Sequence, residues 1–274
     1  MSLTRADVSP DMEELVDRAI HRAAAQFLVR RLVATPVTPN QITVLACLVG
    51  VAASVLIVSG LEHPWLYAAG GAALLLSCIL DCVDGQLARA RNQQSALGRI
   101  LDGISDYLVG ISVFTAMTYV AVVHSGTNLT WIVGALAGLS IIAHAAIFDA
   151  KKIQYLECLG LAVPEEPISA LLTRQKAARG SEAFLLAVYA FYRRTQSVGV
   201  TEISARDPLQ FWQANRGRMR AWTYLGSGTH FFALYCAAVI AVAWPGAFIA
   251  CALLYVVPMN ILYVWLMAQG WKAV

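Results

Sequence analysis

The sequence predicts an all-α, polytopic membrane protein: six transmembrane helices preceded by an amphipathic interfacial helix, with both termini in the cytoplasm. Three observations predict it. Of 274 residues, 58% are hydrophobic and only 14% are charged, whereas soluble domains sit near about 45–50% and about 25%. The mean hydropathy is +0.61. The apolar residues also fall into separated blocks, each long enough or nearly so to cross about 30 Å of hydrocarbon at about 1.5 Å per helical residue. The blocks are continuously apolar and lack the alternation of a barrel.

The elements follow in order. Leu15, Ala19, Ile20, Ala23 and Phe27 recur at helical spacing within Asp11–Val33, among Arg18, Arg22, Arg30 and Arg31. That pattern predicts a helix lying on the membrane surface. Spans are expected at Ile42–Gly60, Pro64–Leu80, Leu129–Phe148, Ala221–Trp244 and Pro245–Trp271. A sixth, near Leu97–Val123, carries Arg99, Asp102 and Asp106 at its start. Pro245 can open the last helix and Pro258 should kink it. The division expected is a segment 1–40 with the amphipathic helix, then a catalytic domain 41–274 with a cytoplasmic insertion at about 149–220. An insertion that long should contain short helices of its own, including an interfacial one at Ala183–Tyr192.

Charge placement sets the orientation. The connections Glu62-His63, His124–Asn128 and Trp244-Pro245 hold none of the 20 Lys and Arg residues. The positive-inside rule therefore places the basic loops and both termini in the cytoplasm, and the membrane expected is an inner, cytoplasmic one. A net charge of +3 gives no reason to expect a nucleic-acid partner. The six cysteines show no metal spacing and read as small buried hydrophobes. The five histidines are scattered and read as packed or interfacial residues. Arg216, Arg218 and Arg220 could hold an anion or simply flank the membrane, and Lys151 and Lys152 allow the same two readings.

The chemistry is concentrated between Asp81 and Asp106. Asp81 and Asp84 share one helical face, and Gly98, Asp102 and Asp106 share another. A turn around Arg91–Ser95 would bring the two faces together. Four carboxylates in one membrane-embedded site repel each other and lose hydration, so the site calls for hard divalent cations. Gly85, Ala88 and Gly98 leave space on the same faces, and Arg89 suits a phosphate. Metals, an arginine and a spare carboxylate are the parts of an in-line displacement at phosphorus.

The pattern Asp81-x-x-Asp84-Gly85-x-x-Ala88-Arg89, then Gly98-x-x-x-Asp102-x-x-x-Asp106, resembles the signature of the CDP-alcohol phosphotransferase (phosphatidyltransferase) family. Thr38-Pro39-Asn40-Gln41-Ile42-Thr43 is similar to the start of that family's first span. The resemblance implies an integral membrane enzyme of phospholipid or polar-headgroup biosynthesis that moves a substituted phosphoryl group from a CDP-linked donor to an alcohol, releasing CMP. It implies two Mg²⁺ ions, or Mn²⁺, held by Asp81, Asp84, Asp102 and Asp106, with Asp106 also the general base. Gly85, Ala88 and Gly98 would line the cytidine pocket and Arg89 would contact the diphosphate. The site would face the cytoplasm, at least one of donor and acceptor would be a lipid, and the enzyme would be a homodimer. The long insertion resembles the transferase half of bifunctional inositol-phosphate cytidylyltransferase fusions, and also choline- and ethanolamine-type phosphotransferases. A CDP-diacylglycerol donor is the other arrangement, and no residue in the sequence decides between them. Outside the enzyme class, a cation transporter or channel could use the same aspartates. Its acids should lie near the membrane midplane or recur in a second copy, and these do neither.

Overall fold

The computed structural model describes residues 3–162, 173, 176, 179–180, 183, 186–187 and 207–272, the side chains of 96, 97 and 99 excepted. The interfacial helix expected at Ala183–Tyr192 falls, apart from three positions, outside them. Every regular element among the described residues is helical. In chain order these are α1 (Arg5–Met12), α2 (Arg22–Leu32, entered through a π-turn at Asp17–His21), α3 (Pro39–Ser59), α4 (Trp65–Ala90), α5 (Ala96–Ser125) and α6 (Leu129–Cys158). Then come α7 (Pro208–Trp222), α8 (Ser227–Ala241), α9 (Ala247–Leu254) and α10 (Asn260–Gln269). Five stretches are long and apolar enough to cross a membrane: Pro39–Ser59, Trp65–Ala90, Ile100–Ser125, Leu129–Cys158 and Ala247–Gln269. A sixth is reached by taking Pro208–Leu225 and Ser227–Ala241 together.

Local chemistry explains the helix ends. Thr38 caps α3 in a reciprocal box with Gln41, and Pro39 occupies the first helical turn, where a missing N–H does no harm. Ser95 accepts from the Gly98 N–H at the start of α5. Gly126, at φ 66°, closes α5 in a left-handed conformation natural to glycine. Pro258 lies in a π-turn at Tyr255–Met259 between α9 and α10, the local widening that a helix-interior proline requires. The last span opens at Ala247, two residues after Pro245, which sits in the preceding turn.

The chain divides into two compact units. The larger comprises Glu14–Ile142 and Ser227–Leu262. Its core gathers Ala53, Ile57, Tyr67, Leu74, Val113, Tyr235, Phe248 and Tyr255 from α3, α4, α5, α8 and the segment after it. Small residues bring these helices together, as is usual where lipid supplies no hydrophobic drive between them. A β-carbon on Gly50 would stand 2.5 Å from Val109 Cγ2, and one on Gly71 would stand 2.9 Å from the Tyr235 carbonyl. The outward faces are apolar: Leu48, Ile111, Leu139 and Ile261 are each more than half exposed, a surface suited to lipid and ill suited to water.

In the smaller unit, Met1–Glu13, Ala143–Gly226 and Tyr263–Val274, α1 is tied to α7. Asp11, 2% exposed, accepts from Arg220 Nε at 2.7 Å and Trp212 Nε1 at 2.8 Å. Rings of Tyr155, Phe211 and Trp271 pack at centroid separations of 5.6–6.0 Å. Arg218 donates to Gln269 and Arg216 lies over the Trp212 ring. All three arginines that could have held an anion thus have structural contacts here.

One feature differs from the sequence expectation. The fifth span, expected at Ala221–Trp244, is interrupted: Gly226 is extended (φ −78°, ψ 163°) and α8 starts afresh at Ser227. The amphipathic segment carries its apolar stripe on the outer side. Leu15 and Phe27 are more than half exposed, while Glu14, Asp17, His21, Ala25 and Val29 face the protein, with Glu14, His21, Ala25 and Val29 buried. An apolar stripe facing outward is what a lipid surface favours; the inward face is polar at one end because it borders the site.

Candidate functional site

Helix α4 carries Asp81 and Asp84 in its last turns, and α5 carries Asp102 and Asp106 in its first. The turn between them holds Asn92 at φ 52°, a left-handed position that asparagine tolerates. Gln93 N donates to the Ala88 carbonyl at 2.8 Å. Arg91 then fastens this turn to the α2–α3 connection. Its guanidinium donates to the carbonyls of Leu32, Val33, Thr35 and Val37 at 2.5–3.2 Å. Arginine's planar fork suits such a cluster of acceptors.

The result is a carboxylate cluster. One ligand oxygen from each of Asp81, Asp102 and Asp106 lies within 4.8 Å of the others. Asp81 and Asp102 are half-buried and Asp106 is exposed. Three hard oxygen donors at that spacing fit a divalent cation of the Mg²⁺ or Mn²⁺ kind and offer nothing to a soft one. Asp84 is held separately: buried at 5% exposure, it accepts from Thr43 Oγ1 at 2.5 Å. Thr43 stands one turn into α3, so the Thr38–Thr43 segment both starts that helix and orients an aspartate of α4.

A β-carbon on Gly85 would be 3.4 Å from Arg89 Nη1, so the exposed guanidinium reaches back beside that glycine. At Gly98 a β-carbon would approach Ser95 Oγ at 3.0 Å and Asn40 Oδ1 at 3.3 Å. Ala88 is half-buried. Asp81 and Asp106 also line a cavity of about 70 Å³, which Asp84, Gly85, Ala88, Arg89 and Gly98 do not line.

Three residues in this neighbourhood escaped the sequence reading: Glu14, Asp17 and His21. Glu14 caps α8, accepting from Gly228 N at 3.2 Å, Thr229 N at 2.6 Å and Thr229 Oγ1 at 2.9 Å. A carboxylate satisfies the orphan N–H groups of a helix start and complements its dipole. Burial, helped by the neighbouring Asp17, nevertheless pushes the Glu14 pKa up to about 7. His21, read as a packed or interfacial histidine, is packed at 1% exposure; it also donates Nδ1–H to Asp17 Oδ1 at 2.8 Å and lines the cavity with Asp81 and Asp106. The signal was present: positions 14, 17 and 21 share one helical face.

Fold and site together define a helical membrane protein with a carboxylate cluster at the meeting of two spans. Residues 36–159 match the family described as CDP-alcohol phosphatidyltransferase, a stretch containing all four aspartates and Thr43. The chain is 34% identical over 120 residues to a protein named bifunctional IPC transferase and DIPP synthase from Thermococcus kodakarensis, covering 44% of this chain and 26% of that one. It is 29% identical over 153 residues to a protein of the same name from Aquifex aeolicus, covering 52% of this chain and 34% of that one. The chain thus spans between about a quarter and a third of the length of the curated relatives it matches.

Proposed function

We propose that the protein is an integral membrane CDP-alcohol phosphotransferase, transferring a substituted phosphoryl group from a CDP-linked donor to an alcohol and releasing CMP. The observation that carries the reading is the convergence of Asp81, Asp102 and Asp106 within 4.8 Å, inside the segment that matches the family. Asp81, Asp84, Asp102 and Asp106 would hold two Mg²⁺ or Mn²⁺ ions, which when bound supply charge neutralisation at the diphosphate.

The chain's own residues divide the remaining work. Thr43 fixes the Asp84 carboxylate, and Arg89 steadies the diphosphate by charge-assisted hydrogen bonds. Gly85, Ala88 and Gly98 leave room for the cytidine. Asp106, the exposed member of the cluster, takes the proton of the attacking hydroxyl as its oxygen bonds to the donor phosphorus and the bond from that phosphorus to CMP breaks. A donor carrying a small polar alcohol is favoured over CDP-diacylglycerol by the resemblance to the transferase half of cytidylyltransferase fusions, and a lipid would then be the acceptor or the product's anchor. The site faces the cytoplasm of an inner membrane, the enzyme is a homodimer, and residues 41–274 form its catalytic domain behind an N-terminal segment 1–40.

The test is purified protein in detergent with Mg²⁺ and a panel of CDP-inositol, CDP-choline, CDP-ethanolamine and CDP-diacylglycerol. Each is paired with inositol 1-phosphate, glycerol 3-phosphate, serine or diacylglycerol. At least one pair should release CMP, and a chelator should stop it. No pair exceeding an Asp81→Asn background would remove this reading.

A further inference from the structure

The cavity beside the cluster has two walls of different origin. Asp81 and Asp106 line it from α4 and α5, and Asp17 and His21 line it from the π-turn before α2, with Cys47, Ser105, Ser227 and Phe231 among the other lining residues. Asp17, His21 and Ser227 lie outside residues 36–159, the stretch that carries the family match. A volume of about 70 Å³ is room for several waters, or a small hydroxylated group, at about 10–15 Å³ each.

The second wall is built, not incidental. His21 is 1% exposed, and its bond to Asp17 fixes the ring so that Nδ1 carries the proton. Tyr235 Oη lies 3.4 Å from Nε2 and holds the far edge of the ring. Asp17 stands against Gly228, where a β-carbon would meet Asp17 Oδ1 at 2.2 Å; only glycine leaves the carboxylate this place. Asp17 keeps a second carboxylate oxygen besides the one bonded to His21. The wall therefore offers acceptors to hydroxyl donors and repels anions. Nucleotide and diphosphate belong with Arg89 and the small residues, none of which line this cavity.

We infer that this cavity is the acceptor subsite: Asp17, oriented by His21, accepts a hydrogen bond from the acceptor alcohol and positions its hydroxyl against Asp106. The inference rests on the transferase reading above and adds to it the residues that set acceptor specificity. They come from the amphipathic helix and the start of α8, so acceptor choice is separable from the donor machinery of α4 and α5. An acceptor's phosphate, where it has one, must lie outside this cavity.

The experiment uses the full chain and the donor–acceptor pair found active in the panel, with soluble inositol 1-phosphate and micellar diacylglycerol as separate arms, so that a polar and a lipid source of the hydroxyl are distinguished. Asp17→Asn keeps the side chain's size, and Cys47→Met fills the cavity from α3, where Cys47 is one of its lining residues. Both should raise the acceptor KM at least about tenfold, roughly 1.4 kcal/mol, with Mg²⁺-dependent CMP affinity and donor KM within about twofold. His21→Gln should act in the same direction as Asp17→Asn. An acceptor KM unchanged in an active Asp17→Asn enzyme, or one that rises only in step with lost CMP affinity, overturns the subsite and leaves the transferase standing. A wild-type protein silent with every pair overturns the reading beneath it.

Discussion

Helix α4 passes through two different environments within the larger unit. Around Tyr67, Gly71 and Leu74 it is packed among apolar side chains, and Tyr67 bonds His124 at 3.1 Å. From Ser77 to Arg91 it presents carboxylates, a cavity wall and a guanidinium fastened to four carbonyls. The first half gains from every close contact. The second brings like charges together, which opposes folding unless something else binds there. Stability and chemistry thus occupy successive turns of one helix, and substitutions in the two halves should fail in different ways.

The sharpest way to break this comparison is Asp106→Asn. Turnover should fall by about 10²–10⁴, the usual worth of a positioned base, while Mg²⁺-dependent CMP binding stays within a few-fold of wild type by calorimetry. If binding and turnover fall together, Asp106 is chiefly a cation ligand and the proton acceptor lies elsewhere.

The packing half should respond in the opposite sense. Gly71→Leu drives a side chain into the Tyr235 carbonyl and Ala238, and overpacking of that kind costs about 1–3 kcal/mol. The melting temperature in detergent should fall while turnover per folded molecule is kept. An unchanged melting temperature would mean that the α4–α8 approach yields easily.

A smaller effect comes from Glu14, which caps the start of α8. Its pKa rises from 4.5 to about 7, chiefly through burial, so the fold binds this proton more tightly than the unfolded chain does. Stability from this group is therefore full at pH below about 4.5 and is lost as pH rises through about 7. Glu14→Gln should flatten the pH dependence of the melting temperature across that window. Equal slopes in both proteins would show that Glu14 does not titrate there.

Much of this was legible in the sequence, for reasons of periodicity. Runs of apolar residues gave the helices α3 to α6, because each span is written locally. The registers of Asp81, Asp84, Gly98, Asp102 and Asp106 gave the two acidic faces for the same reason. What escaped depends on partners distant in the chain. The break at Gly226 looks like continuous apolar helix until Glu14 supplies the cap. Thr43 reads as a cap-box neighbour until it meets Asp84, and Arg91 as a flanking charge until four carbonyls converge on it. His21 looked solitary because its significance lies in Asp81 and Asp106, some sixty or more positions away.

The central claim is that the cluster of Asp81, Asp102 and Asp106 binds a divalent cation on which the nucleotide depends. Calorimetric titration of CMP in the presence and absence of Mg²⁺, on wild type, Asp81→Asn and Asp102→Asn, tests it most directly. Wild type should bind CMP only with the cation, and each variant should lose at least about tenfold in affinity, roughly 1.4 kcal/mol, with its melting temperature within a few degrees of wild type. Variants that bind CMP with wild-type affinity and the same Mg²⁺ dependence would contradict it.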